Sequence, residues 1–201
     1  MKQISLLFIA LFAAMAMSSC MKNDIVDNSK DREKEQARID STFDAQKEIL
    51  ETYAKTHFTN REFNEKSGIW FEILEEPTDD SYQYVISNGG FVTPTVELMY
   101  TGKLMDGTIF DASTEKVTWK INYGNLIPAF PYSFFPETVV MGGETYYTGL
   151  VKDGLKKGHK IRFIAPSPLC YDNKPQYDKD KNLKIPKDSP LEFTIEVFSI
   201  K

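Results

Sequence analysis

The chain is poor in cysteine and histidine: its 201 residues hold two of each, Cys20 and Cys170, His57 and His159. Two thiols cannot build the disulfide framework of a small secreted scaffold, and one of them lies close to the amino terminus. Neither histidine has a cysteine or an acidic cluster at ligand spacing, so no metal site is expected and both rings are expected to face solvent. A surplus of positive charge is missing as well. Lys and Arg number 24 against 29 Asp and Glu, a formal charge of −5, which is the wrong sign for a nucleic-acid partner. The one long apolar run, Leu6 to Ala16, is well short of the ~20 residues that span a bilayer. Glycine and proline are absent from Asp31 to His57, which leaves nothing in that stretch to interrupt a helix. The rest, 41% apolar and 26% charged overall, suits one globular domain with accessory segments, large enough to be stable without disulfides.

What is present begins with a basic start at Lys2, the apolar run, and Met17-Ser18-Ser19-Cys20. This reads as a secretory signal over residues 1–19 rather than a membrane span. A cysteine directly after two small residues resembles the lipobox of bacterial lipoproteins, which implies lipidation at Cys20. It also implies anchorage in the bacterial cell envelope, at the outer membrane, facing the periplasm or the outside. The alternative is an ordinary cleaved signal with an incidental cysteine. Residues 20–31 are polar and read as a tether. Residues 32–60 read as an amphipathic helix, with Ile39, Phe43, Gln46, Leu50 and Tyr53 at three- and four-residue steps and Ile49 beside them. Such a stripe has three uses: a homodimer contact through residues 32–58, a client contact, or docking on the chain's own domain.

Residues 61–201 form the domain. Strands are expected at Gly68–Glu76, Tyr82–Ile86, Thr95–Tyr100, Val117–Ile121, His159–Ala165 and Leu191–Ile200, and a helical turn or two at Leu150–Leu155. The organising stretch is Thr95 to Ser113. Val96, Leu98 and Tyr100 alternate with Glu97 and Met99, and Asp106-Gly107 supplies a hairpin turn. The return strand ends in Phe110-Asp111, so a Tyr, a Phe and a buried acid are expected to meet on one sheet.

The pattern Tyr100-Thr-Gly-x-Leu-x-Asp-Gly-x-x-Phe110-Asp111-x-Ser113 resembles the signature of the FKBP-type peptidyl-prolyl cis-trans isomerases. Ile185-Pro-x-x-x-x-Leu191-x-Phe193 resembles that family's closing strand. The resemblance covers about Gly68 to Lys201, and implies an α+β fold in which a curled antiparallel sheet wraps a short helix. It implies catalytic positions at Tyr100, Phe110, Asp111, Ile127, Tyr171 and Phe193, and substrate contacts at Trp119, Leu126, Phe130 and Ile185. Phe130 stands where the family usually has Trp, and Asp172 where it has glycine after the loop tyrosine. No cofactor is implied, and the partners would be proline-containing polypeptide clients.

Two segments depart from the family pattern. Residues 172–184 form a longer, charged loop. An insertion at about residues 131–148, rich in aromatics, would either fold back on the surface or form a flap over the pocket. The first outcome favours an isomerase assisting the folding of exported proteins. The second favours a catalytically weak or inactive binding or chaperone module on the same scaffold.

Overall fold

The structure, a computed structural model, describes residues 29–201. The expected signal peptide, Cys20 and nearly all of the tether lie outside the described residues. In chain order the elements are helix α1 (Ser29–His57), strands β1 (Glu62–Asn64) and β2 (Ile69–Glu75), the small pair β3 (Ile86–Ser87) and β4 (Gly90–Phe91), and the long β5 (Thr95–Leu104). There follow β6 (Ile109–Ala112), β7 (Val117–Lys120), helix α2 (Ala129–Phe134), the hairpin β8 (Thr138–Met141) and β9 (Glu144–Tyr147), and β10 (Lys160–Ala165). A 3-10 turn at Ser167–Leu169, the pair β11 (Gln176–Tyr177) and β12 (Leu183–Ile185), and β13 (Leu191–Ile200) complete the chain.

Seven strands form one antiparallel sheet in the order β1-β2-β10-β13-β5-β6, with β7 also on β5. The long β5 therefore has β13 along one edge and shares its other edge between two strands. β7 takes Thr95–Leu98 and β6 takes Thr101–Lys103. Between them the backbone of Tyr100 would be unpaired. Ser113 fills the gap: its Oγ accepts the Tyr100 N–H at 2.9 Å, and its own N–H donates to the Tyr100 carbonyl at 3.0 Å. The hairpin turn closes as its Asp-Gly predicts, with Gly107 at φ +87° and Asp106 accepting from the Thr108 N–H.

The alternation along the central strands sends Val96, Leu98, Ile161, Phe163, Phe193, Ile195 and Val197 into one core. Helix α2 lies in that core, with Ala129, Phe130, Phe134 and the following Phe135 buried. Pro131 is tolerated because it falls in the first turn, and Pro136 disfavours helix at Phe135, whose φ and ψ are extended. This short helix was expected at Leu150–Leu155. That segment is instead a turn through Gly154 (φ +74°), with the Leu155 N–H donating to the Phe134 carbonyl. Closely spaced prolines disguise a helix whose first turn tolerates them. Residues 131–148 thus hold the end of α2 followed by the β8–β9 hairpin.

The opposite face of the sheet is covered by α1. Leu50, Tyr53, Ala54 and Phe58 pack on Ile164, with Trp70 and Met105 at the margin. Burying Leu50 and Phe58 contributes about 1.5–3 kcal/mol each. An exposed pair along the helix such as Glu51–Lys55 contributes far less, being screened by solvent. Docking therefore holds α1 more than its intrinsic propensity does. The stripe read from the sequence lies on its own domain, Gln46, Leu50 and Tyr53 being buried and Ile49 exposed. Charges beneath the helix are paired: Arg162 with Glu72, Lys103 with Glu192, and the Tyr53 hydroxyl donates to Glu192 at 2.9 Å. No described helix is long and apolar enough to cross a membrane.

Two further expectations are corrected. Tyr82–Val85 forms no strand, only Ile86–Ser87 pairing with Gly90–Phe91. The segment is held by its rings instead, Tyr84 packing on Phe91 and Phe135 and donating to the Leu155 carbonyl. His57 is exposed as expected, but His159 is buried, its Nδ1 accepting the Lys156 N–H at 2.8 Å. It lies in the turn entering β10, where its carbonyl accepts the Val197 N–H and ties the turn to β13.

Burial holds the His159 pKa below its ordinary value of 6.5. Below that pH the unfolded chain takes up a proton that the folded one resists, so stability is present above about 6.5 and is lost as pH falls through the folded value. Urea unfolding at pH 7.5 and pH 5 is expected to give a lower free energy at pH 5, and His159→Gln a smaller difference between the two.

Candidate active site

The site starts from a missing side chain. Gly102 stands near the end of β5, and a Cβ there would lie 2.5 Å from Phe110 Cζ and 3.1 Å from Phe193 Cε1. Two aromatic rings therefore rest on bare backbone. Phe110 reaches it because β6 bulges: Gly102 pairs with Asp111 and Lys103 with Ile109, which leaves Phe110 outside the ladder. The bulge turns Phe110 inward while Ile109 and Asp111 stay exposed. Re-aiming one side chain in this way is what bulges commonly do beside functional sites.

From Gly102 an aromatic set extends across the sheet. Phe110 meets Phe193 edge-on at 5.8 Å between centroids, Phe193 meets Phe130 at 4.9 Å, Phe130 meets Trp119 at 5.1 Å, and Trp119 meets Tyr100 at 4.7 Å. Phe163 supports the floor, 5.5 Å from Phe193. The edge-on and tilted contacts are those that ring quadrupoles favour. Phe110, Phe130 and Phe193 are buried, whereas Tyr100, Trp119, Leu126, Ile127 and Tyr171 are half-buried. The result is a shallow dish of buried rings with a half-buried rim.

At the rim the Tyr100 hydroxyl donates to Asp111 Oδ2 at 2.9 Å. Burial, and after it the bond to Asp111, pushes the Tyr100 hydroxyl up to about 12, so it remains a donor at neutral pH. Asp111 was expected to be buried and is exposed. The bulge that buries Phe110 turns its neighbour out, and Tyr100 reaches over to meet it. Burial raises the Tyr171 hydroxyl as well, with smaller contributions from Cys170 and from the charge of Asp111. Tyr100, Asp111 and Tyr171 are thus electrostatic neighbours. Among the described residues neither the Tyr171 hydroxyl nor the Ile127 N–H has a protein acceptor, so both are free to donate.

The β8–β9 hairpin lies elsewhere. Val139 and Met141 border a hollow of about 360 Å³ with Phe91, Tyr123 and Phe135. The Lys66 ammonium sits over the Tyr147 ring, and the aromatic partners of Phe110, Phe130 and Phe193 come from outside the hairpin.

Comparison with known proteins bears directly on this arrangement. Residues 92–198 match the model of the FKBP-type peptidyl-prolyl cis-trans isomerase family. The chain belongs to that family. It is 28% identical over 158 residues to the macrophage infectivity potentiator of Trypanosoma cruzi, covering 77% of this chain and 68% of that protein. It is 32% identical over 135 residues to a probable FKBP-type isomerase of Haemophilus influenzae, covering 67% of this chain and 44% of that protein. In fold it resembles the crystal structure of AtFKBP13, with a TM-score of 0.53 at 20% identity over 71% of this chain and all of that one. An isomerase from Pseudomonas syringae gives 0.52 at 20% identity, over 81% of this chain and 95% of that one.

For this FKBP-type chain the structure brings together Tyr100, Phe110, Asp111, Trp119, Phe130 and Phe193 in one contact set. Leu126, Ile127, Tyr171 and the buried Ile185 pack against the same core. Sequence reading missed Gly102 and Ser113 as determinants, although both stand inside the quoted motif, because a bare backbone and a gap-filling hydroxyl are legible only once the strands are paired. Among the described residues no group of His, Cys, Asp and Glu is arranged to hold a metal ion.

Gly102→Ala is expected to push Phe110 off the dish. Overpacking of this kind costs about 1–3 kcal/mol, so urea unfolding should report a loss in that range. Titration with a prolyl peptide should report weaker binding than wild type. Unchanged stability and binding would show that the rings do not depend on the glycine.

Proposed function

We propose that this protein is an envelope-tethered prolyl isomerase that assists the folding of exported proteins, taking a prolyl ring into the aromatic dish. The observation that carries the reading is the Tyr100–Asp111 bond at the rim of a buried aromatic floor whose ring partners come from outside the inserted hairpin. The alternative of a binding module with a closed pocket has no such observation in its favour.

The chemistry asked of the site is modest. The barrier to rotating a peptide bond is about 18–20 kcal/mol, and it comes from amide resonance. The planar amide carries separated charge on oxygen and nitrogen, and the twisted one does not. An apolar enclosure therefore disfavours the planar state relative to the twisted one, which is binding directed at the transition state. In this reading Phe110, Phe130, Phe193, Trp119 and Tyr100 wall the prolyl ring, and Leu126 and Ile185 line it. The Ile127 N–H and the Tyr171 hydroxyl hold the substrate carbonyls, and Asp111 fixes Tyr100. No proton has to move.

The envelope placement rests on the amino-terminal sequence, the short apolar run and Cys20. A lipid on Cys20 would attach the chain to a membrane, firmly if more than one acyl chain is present. The described residues would then stand clear of the bilayer by the length of the tether.

A protease-coupled assay with a short X-Pro peptide tests the activity. Phe110→Ala removes a buried wall of the dish, so kcat/KM is expected to fall on the order of 10- to 100-fold. Asp111→Leu, which strands the Tyr100 hydroxyl, should fall in the same direction. Wild-type-like rates in both variants would contradict the reading. Cys20→Ala should move the chain from the membrane pellet to the soluble fraction if the tether is lipid.

A further inference from the structure

Asp172, directly after Tyr171, has φ +54°, a left-handed conformation that glycine enters freely and Asp more readily than most other residues, though at some cost. It occupies the place where the family resemblance has glycine. Its carboxylate is gripped by α1: Arg38 Nη1 donates to Oδ1 at 3.0 Å and Nη2 to Oδ2 at 2.5 Å. Glu35, one turn earlier, accepts from Arg38 Nε at 3.0 Å and from Nη2 at 2.8 Å, and so fixes the guanidinium from behind. The pair is about three-quarters shielded, with side-chain exposures of 29% and 23%, and a two-pronged fork of this kind constrains orientation as well as distance.

The backbone of the turn is tied to the same helix. The Asp172 N–H donates to the Ser167 carbonyl at 2.8 Å, and the Asp172 carbonyl accepts the N–H of Asp188 at 2.8 Å. Asp188 is itself left-handed, at φ +56°. Its carbonyl accepts from Gln46 Nε2 at 2.9 Å, and that amide also donates to Ser167 Oγ at 2.8 Å. Gln46 Oε1 accepts the Ser167 N–H at 2.8 Å. Gln46 is buried, and its amide oxygen and nitrogen are both used. The turn that presents Tyr171 is therefore held at its start by Gln46 and at its end by Arg38, two turns apart on one helix.

We propose that Arg38 and Gln46 are positioning residues for the isomerase reaction: through Asp172 and Ser167, α1 holds the Tyr171 hydroxyl at the mouth of the proline site. The proposal rests on the isomerase reading above. The Arg38 fork adds the side-chain half of the hold on Asp172, beside the backbone bonds to Ser167 and Asp188. When the fork is lost the turn relaxes and the hydroxyl moves away from the substrate carbonyl. A glycine at 172 needs no such grip, because it enters the left-handed region without a steric cost.

The test uses the full-length chain, with kcat/KM for an X-Pro peptide and amide hydrogen exchange read together. Arg38→Ala is expected to lower kcat/KM about tenfold, since a small misplacement of a contacting group is enough for that. Exchange at the Asp172 and Asp188 amides should quicken while the β13 amides keep their protection. Arg38→Ala/Asp172→Gly should return to within about twofold of the wild-type rate, the glycine supplying the conformation without help. Arg38→Lys, which keeps the charge but not the fork, should fall between and guards against a variant that does not fold. The proposal is overturned if Arg38→Ala leaves rate and exchange unchanged, or if the rate falls together with β13 protection and glycine does not rescue it. A wild-type chain without isomerase activity would remove the isomerase reading, and exchange at Asp172 and Asp188 would still decide whether α1 holds the turn.

Discussion

Two phenyl rings lying on the bare backbone of Gly102 set the terms for the rest of this molecule. Phe110 and Phe193 can converge there only because β5 has no Cβ at that point and because β6 bulges to aim Phe110 inward. Phe130, carried by α2, then has a surface to pack on, and Trp119 and Tyr100 extend it. The helix is short and has no side-chain cap. Its burial against these rings, rather than its own propensity, keeps it folded. The same contacts that stabilise the core therefore build the floor of the dish, and the floor cannot be altered without loosening the core.

The two faces of the sheet divide the work. The concave face is apolar and holds the aromatic set. The other face carries a smaller apolar cluster, Leu50, Tyr53, Ala54 and Phe58 of the α1 segment on Ile164, flanked by the paired charges of Arg162, Glu72 and Glu192. Breaking one partner of such a pair leaves a buried charge unmatched, which is far more costly than losing a surface pair. The helix is fixed in register by these bonds as well as by Leu50 and Phe58. That fixed register matters because its earlier turns reach the segment carrying Tyr171.

Much of this was legible in the chain. The alternation at Val96, Leu98 and Tyr100, the Asp106-Gly107 turn, the closing strand from Leu191 and the stripe of α1 are local patterns, and local patterns survive folding. The aromatic positions could be identified because several recur in the order of a known family motif. What was misread depended on pairing or on masking. Prolines at 128, 131 and 136 hid α2, and the Leu150–Leu155 segment resembled a helix but turns through Gly154. Asp111 was expected inside, and a bulge that shifts the ladder by one residue put it outside. His159 is buried in a turn tied to β13 by a backbone bond that no spacing in the sequence announces. The importance of Arg38 rests on a contact 134 residues away in the chain.

The central claim is that an aromatic enclosure lowers the rotation barrier without any proton transfer. The direct test is kcat/KM for an X-Pro peptide measured across pH 6 to 9 in H2O and in D2O. A flat profile and a solvent isotope effect of about 1 are expected when no acid or base acts in the transition state. A bell-shaped profile, or an isotope effect of about 2 or more, would mean that a group in the dish moves a proton, and would contradict the account.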